Sequence, residues 1–172
     1  MNLSYKICSI EDLDVLVKIS LTTFVSAFEK LNNPDDFKLH LNKAFSISKI
    51  KSELLNKNSF FYFVFSDNML AGYFKLNQKE AQTEPLGDKA LELERIYVTD
   101  DFQKQGIGAK ILQEVIEMAK QKHMDYLWLG VWEHNTAAMR FYERNGFEKF
   151  GTHAFYIGTD KQIDWLMKLD LV

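Results

Sequence analysis

Three short runs of this chain carry residue types at spacings that could do chemistry. The first, Gln103-Lys104-Gln105-Gly106-Ile107-Gly108, joins an extended apolar run to an amphipathic one. Its backbone N–H groups fall at a helix start, where they lack intrahelical partners and lie at the positive end of the helix dipole. Gly106 and Gly108 carry no side chains, so a phosphate could approach the backbone closely. A pair of glycines here is equally a common tight turn. Two phosphate signatures are excluded: there is no G-x-x-x-x-G-K-[ST], and the third glycine of a dinucleotide fingerprint is missing.

The second run is Leu91 to Val98, LELERIYV. Period-two alternation puts Glu92, Glu94, Ile96 and Val98 on one face and Leu91, Leu93, Arg95 and Tyr97 on the other. Two carboxylates on an inner strand must face water, pair with Arg95, or serve a site. The third run holds Asn135, Ala138 and Tyr142, spaced i, i+3 and i+7 on one helical stripe, with a small residue between two polar ones. Asn135 is also a natural N-cap, and Tyr142 could equally be a core tyrosine. Ala137 and Phe141 are expected to pack into the core.

The elements that must position these runs follow from periodicity and capping. Leu3–Cys8 is a short strand, and Ser9 with Asp12 resembles a capping box opening a helix that carries Leu13, Leu16, Val17, Phe24, Ala27 and Phe28. Asn32-Asn33-Pro34 breaks that helix and starts another, bearing Phe37, Leu41, Ala44 and Phe45; Ser46 or Ser48 starts a third, through Leu55. Ser59–Phe65 is an inner strand that returns through Asp67-Asn68 as Met69–Leu76. The polar segment Asn77–Lys89 is expected as a long loop and the most mobile part. Ile111, Leu112, Val115, Ile116 and Ala119 form the buried face of the helix after Gly108. Asp125–Trp132 is a strand, Asn135–Arg144 a helix stopped by Gly146, and Phe147–Ile157 with Gln162–Leu169 a hairpin across Gly158–Lys161. Gly130 marks a bulge or a close approach. The order β-ααα-ββ-β-α-β-α-ββ is mixed α/β, with about seven strands.

Composition bounds the rest. At 172 residues, with 47% hydrophobic and 26% charged, one globular domain over 1–172 is expected. A net charge of −3 gives no field that would favour nucleic acid or an anionic membrane. No run reaches the ~18 apolar residues of a membrane span. The single cysteine, Cys8, excludes an internal disulfide and fits a cytoplasmic location; it reads as a buried small residue, not a nucleophile. His40, His123, His134 and His153 have no metal-ligand spacing, so no metal is expected. Trp128 and Trp132 read as core or as the wall of a site.

Q-x-x-G-x-G after E-L-E-R-I-Y-V, followed by Asn135–Phe147 matching N-x-x-A-x-x-[FL]-Y-x-x-x-G-F at every fixed position, resembles the GCN5-related N-acetyltransferase (GNAT) superfamily. The resemblance runs from about Leu54 to Leu169. It implies the GNAT fold: a mixed, mostly antiparallel twisted sheet, splayed at the cofactor site and flanked by helices. It also implies acetyl-CoA as cosubstrate and direct acetyl transfer to a primary amine. By position, the backbone of Ile96, Tyr97 and Val98 would pair with pantetheine. The turn Gln103, Lys104, Gln105, Gly106, Ile107, Gly108 and Ala109 would hold the pyrophosphate through its N–H groups. Asn135 would bond the pantetheine arm, Ala138 would leave room, and Tyr142 would protonate the departing thiolate. An N–H near Ile96 would stabilise the oxyanion. Glu92 falls where some members carry a general base and Glu94 two residues nearer the thioester, so the pair is divided between base and ammonium-binding group. His153, in the last hairpin, could reach the acceptor.

The segments around Thr23-Phe24, Asn33–Asp36, SFFYF, AGYFKLN, WLGVWE and FYIG resemble PaiA-type polyamine acetyltransferases, which implies spermidine or spermine as acceptor. A polyamine wants carboxylates and aromatic faces, and Glu92, Glu94, Asp35, Asp36, Glu84, Phe24 and Tyr97 are the candidates. An acetyltransferase for protein amino groups or another small amine remains open, as does a non-catalytic CoA-binding regulator. A monomer or homodimer is expected.

Overall fold

The structure is a computed structural model, and it describes residues 2–172. The helices begin where local chemistry starts them. The Ser9 N–H donates to Asp12 Oδ2 at 2.9 Å and turns the chain from β1 (Leu3–Ile7) towards α1 (Leu13–Phe28). Asn33 Oδ1 accepts from the N–H groups of Asp35 and Asp36, with Pro34 in the first turn of α2 (Pro34–Ala44). Ser46, and not Ser48, caps α3 (Ile47–Leu54) by accepting from the Lys49 N–H. The remaining elements are β2 (Ser59–Ser66), β3 (Met69–Gln78), β4 (Ala90–Val98), α4 (Ile107–Gln121), β5 (Tyr126–Trp132), α5 (Thr136–Arg144), β6 (Glu148–Ile157) and β7 (Asp160–Asp170).

The seven strands form one sheet in the order β1-β2-β3-β4-β5-β7-β6, antiparallel throughout except for β4 against β5. This is the mixed, mostly antiparallel α/β arrangement expected from the resemblance. Helices α1, α2 and α3 cover one face through Leu16, Ile19, Phe24, Phe37 and Ile50. Helices α4 and α5 cover the other, with Ile111, Leu112, Val115 and Met139 packed on Phe74, Leu91 and Leu129. In α5 the inward positions are Met139 and Tyr142; Ala137 is exposed, contrary to expectation, because the helix turns its Ala138–Tyr142 side to the sheet.

Strand β4 departs from simple alternation. Lys75 lies opposite Arg95, but the next residue, Leu76, lies opposite Leu93, so Glu94 is an extra residue bulged out of the ladder. Below the bulge Glu92 faces Asn77; above it Arg95 and Tyr97 face Lys75 and Tyr73 on the same side. Glu92 and Glu94 therefore share a face with Arg95 and Tyr97. Ile96 and Val98 instead join Leu91 and Leu93 against α4. The even split of LELERIYV is corrected by that one inserted residue.

The Asn77–Lys89 segment is also not the loose loop expected. Strand β3 runs on through Gln78, and Asn77 is wholly buried. Beyond it, Gln82 Oε1 accepts from Trp128 Nε1 at 2.7 Å, and Leu86 O accepts from the Tyr126 hydroxyl at 2.9 Å.

The last hairpin turns in two residues rather than four, with Ile157 opposite Asp160. It is clamped to the amino-terminal helices. Asp36 Oδ1 accepts from the Thr159 N–H at 2.7 Å and hydroxyl at 2.6 Å, and Gln162 Nε2 donates to Asn32 Oδ1 at 2.7 Å. Gly158 makes this approach possible: its φ is +59°, and a Cβ there would lie 2.6 Å from the Asp36 Cα and carbonyl oxygen. Gly158→Ala should cost about 2–3 kcal/mol and lower Tm by roughly 5–10 °C in a thermal melt. Gly87, also at positive φ (+93°) but with nothing within 4 Å, is the control; Gly87→Ala should cost about 1 kcal/mol.

Candidate active site

Strands β4 and β5 pair only over Ala90–Glu92 and Tyr126–Trp128. Beyond Glu92 they diverge, and the wedge between them opens as a cavity of about 260 Å³. The helix stripe expected from the sequence lines it: Asn135, Ala138 and Tyr142 all face this space, with Ile96, Tyr97 and Trp132. Val98 lies outside the lining. Asn135 caps α5 through Oδ1, which accepts from the Ala138 N–H at 3.2 Å, and its NH₂ has no partner among the described residues. Burial pushes the Tyr142 phenol up to about 12, so it holds its proton at neutral pH.

The Gln103–Ala109 turn lies just past the end of β4, outside the lining of the wedge. Lys104 (φ +61°) and Gly106 (φ +76°) are both left-handed, which brings successive N–H groups round to the start of α4. The N–H groups of Ile107, Gly108 and Ala109 precede the first helical bond, made by the Lys110 N–H to Gly106 O at 3.3 Å. A Cβ at Gly106 or Gly108 would meet no atom within 4 Å, so both glycines border open space. The first turn of α4 holds no acidic side chain. Gln103 Nε2 donates to Val98 O and Asp100 Oδ1, and Gln105 Nε2 to Asp101 O, so these side chains brace the loop, and the Gln103 N–H is itself taken by Asp100 O. The turn has the donors, the space and the dipole to cradle a pyrophosphate.

A second cavity, of about 290 Å³, adjoins the first on the α1–α3 side of the sheet; Tyr97, Arg95, Glu94, Gly130 and Asp164 line both. Aromatic rings of Phe24, Phe45 and Phe155 and carboxylates of Glu53 and Glu92 complete its walls. Glu92 is 2% exposed and fully engaged: Oε2 accepts from the Thr83 N–H (2.8 Å) and Asn77 Nδ2 (3.0 Å), and Oε1 from the Thr83 hydroxyl (2.5 Å). Burial, and then the neighbouring Glu94 charge, push its carboxyl above the usual range despite those bonds.

Glu94 is the opposite case. Burial alone would raise it, but Arg95 and Lys75 override this and hold it down to about 2. Lys75 Nζ lies 2.5 Å from Glu94 Oε2 and 3.3 Å from Glu53 Oε2, and Asn77 Nδ2 donates to Glu94 at 2.6 Å. Arg95, stacked over Phe45 at 5.3 Å, pairs with both Glu53 and Glu94. Glu94 is therefore a fixed anion, not a proton acceptor.

Of the other acceptor-side candidates, Phe24 and Tyr97 line the second cavity, while Asp35 and Asp36 do not. Asp36 is spent on the hairpin clamp. Glu84 bonds His153 Nδ1 at 2.8 Å, and His153 lines this cavity, as its position in the hairpin allowed. Cys8 is buried and its thiol is pushed up to about 12, mainly by burial, which removes any nucleophilic role. Gly130 is a close approach rather than a bulge: β5 pairs regularly with β7 there, and a Cβ would sit 3.3 Å from His153 Nε2. Lys75, Asn77, Glu53 and Asp164 were not found from sequence. The signal for two of them was present in AGYFKLN, where Tyr73, Lys75 and Asn77 set a polar row at period two in an otherwise apolar strand.

Comparisons with known proteins agree with this geometry. The model of the Acetyltransferase (GNAT) family matches residues 24–147. An uncharacterized N-acetyltransferase in the pepI 3′ region of Lactobacillus delbrueckii subsp. lactis is 40% identical over 162 residues, covering 94% of each chain. Among solved structures, the PaiA N-acetyltransferase from Thermoplasma acidophilum in complex with coenzyme A superposes with a TM-score of 0.77 at 22% identity, over 99% of each chain. A ribosomal-protein alanine N-acetyltransferase from Escherichia coli does so at 0.70 and 19%, over 99% of this chain and 94% of that one. At these identities the structures share the fold.

The state of Glu92 has a stability consequence. Its raised pKa means the folded chain binds that proton more tightly than the unfolded chain. Stability is therefore lost as pH rises from the unfolded value, about 4.3, through the raised folded one. Glu92→Gln removes this cost and can keep the Thr83 and Asn77 bonds. Its Tm should equal or exceed that of the unsubstituted protein at pH 8, with the advantage gone by pH 4, measured by calorimetry.

Proposed function

The chain belongs to the acetyltransferase (GNAT) family, and on that premise we propose that residues 1–172 form one domain that binds acetyl-CoA in the β4–β5 wedge and acetylates a polyamine entering from the second cavity. The observation that carries this reading is the junction of the two cavities. A strand wedge, with an open helix N-terminus just past the end of β4, meets a space walled by carboxylates and aromatic rings, with Tyr97 and Glu94 common to both.

The residues fit the cosubstrate. The N–H groups from Lys104 to Ala109 would hold the pyrophosphate, and the space beside Gly106 and Gly108 would admit it. The free backbone edge of Ile96, Tyr97 and Val98, no longer paired with β5, would bind the pantetheine amides. Asn135 would give its spare NH₂ to the same arm, and Ala138 would leave room beside it. Acetyl-CoA supplies the activated acetyl group as a thioester.

Direct transfer to an amine needs a deprotonated nitrogen, a stabilised oxyanion and a protonated thiolate. In this reading Glu92 accepts the ammonium proton, since its raised pKa makes it the better proton acceptor of the strand pair. Glu94, held ionised by Arg95 and Lys75, balances their charges, so that this wall does not repel a cationic amine. The backbone N–H near Ile96 faces the developing oxyanion. Tyr142 keeps its proton for the departing thiolate, whose own pKa rises in the same dry surroundings. The faces of Phe24, Phe45 and Phe155 flank the methylene segments and charges of a polyamine.

The decisive experiment is thiol release from acetyl-CoA across an amine panel of spermidine, spermine, monoamines, a lysine peptide and peptides with free α-amino ends. Spermidine and spermine should give kcat/KM at least about tenfold above the rest. A peptide ranked first would replace the polyamine, and acetyl-CoA binding with no thiol release on any amine would make the chain a regulator. Tyr142→Phe should lower kcat by about 100-fold, as expected for loss of a general acid, while stabilisation by acetyl-CoA in a thermal melt persists.

A further inference from the structure

The carboxylates around the two cavities differ in what remains of their bonding capacity. Both oxygens of Glu92 accept hydrogen bonds from Thr83 and Asn77. Glu94 is shared among Lys75, Arg95 and Asn77. Glu53 pairs with Lys49, Lys75 and Arg95. Among the described residues Asp164, on β7, has a single side-chain partner: Oδ2 lies 3.4 Å from His153 Nε2, and Oδ1 has none. It is also one of the few side chains that line both cavities, so it stands where they join.

From this geometry we propose that Asp164 is the anchor for the acceptor ammonium, seating the nitrogen at the junction with its unused oxygen, while His153 and Glu84 hold the carboxylate in place. The inference rests on the amine-acetylation reading above. An ammonium has three N–H donors and gains most from a carboxylate that is not already saturated. Elsewhere in the cavity a cation would have to displace Lys75, Arg95 or the hydrogen bonds of Asn77 and Thr83; at Asp164 Oδ1 it displaces nothing.

The support behind Asp164 is built rather than incidental. His153 sits between Glu84 Oε1 at 2.8 Å and Asp164 Oδ2 at 3.4 Å, and it is largely buried. The Asp164 carboxylate, against burial and aided by Glu84, raises the imidazole above its ordinary value, which favours a ring donating from both nitrogens. Glu84 comes from the segment after β3, His153 from β6 and Asp164 from β7, so three separate parts of the chain meet in one line of contacts behind Asp164 Oδ2. Gly130 lets them do so, because a side chain there would press on both His153 and Asp164.

The test is steady-state kinetics of Asp164→Asn and Asp164→Glu with spermidine, each variant first checked by thermal melt and by acetyl-CoA stabilisation. Loss of one charge-assisted bond should raise KM for the amine about 10- to 100-fold in Asp164→Asn, with KM for acetyl-CoA within about twofold. Asp164→Glu should recover part of the amine KM, which a purely structural role would not predict. An unchanged amine KM in Asp164→Asn, or equal increases for both substrates, would overturn the anchor. If Asp164→Asn fails to fold, His153→Gln supplies the reading: the anchor requires a raised amine KM with acetyl-CoA unaffected, and an unchanged one removes it. Thiol release by the unsubstituted protein separates the two levels: without it on any amine, the acetyl-transfer reading falls and the anchor with it; with it, the Asp164 result stands alone.

Discussion

The extra residue in β4 is the constraint on which the site depends. A bulge bends its strand and increases the local twist, and this one lies just beyond the last residue that pairs with β5. The strand veers away at that point, and the separation becomes the wedge. The same insertion turns Glu94 and Arg95 to one side in succession, against the alternation of a regular strand. One local irregularity thus both opens the β4–β5 wedge and concentrates charge on the side of the second cavity. A regular β4 would have kept Glu94 beside Glu92 and sent Arg95 to the face of Leu91 and Leu93, into the apolar layer under α4.

Charge on that side is arranged by saturation. Lys75, Arg95, Glu53 and Glu94 form a nearly dry cluster whose members neutralise one another, with Asn77 and Thr83 committing the oxygens of Glu92. Such a cluster contributes little net stability, because the cost of desolvating the ions offsets much of their attraction. Its value is definition: several partners fix each side chain in one position. Glu94 is locked as an anion and Tyr142 as a phenol, while Glu92 lies between a saturated carboxylate and a proton acceptor.

Much of this was legible in the sequence. Start signals at Ser9, at Pro34 and at the Ser46/Ser48 pair placed the helices, because a capping oxygen or a proline before an amphipathic run favours a helix start there. The Asn135–Tyr142 stripe reached one cavity because helical spacing dictates a shared face. What failed was what depends on tertiary context. The bulge in LELERIYV carries no glycine or proline, and period-two reasoning cannot see a residue that the partner strand skips. Asn77–Lys89 is polar, so it looked loose, yet its polar groups are consumed by Trp128, Tyr126 and Glu92. Asp164 lies in an unremarkable strand, QIDWLM, and gains meaning only when β7 crosses beside Gly130.

The clamp between the amino-terminal helices and the last hairpin joins residues 123 and 130 positions apart. Closing loops of that length is entropically slow, and contacts of such separation are favoured only after the intervening chain is ordered. Asn32 and Gln162 both line the wedge, so its outer wall is completed by one of the most distant pairings in the chain. The sheet centre and the helix N-terminus of α4 rest on much shorter-range contacts. That wall of the wedge therefore depends on nearly the whole chain being in place, whereas the start of α4 does not.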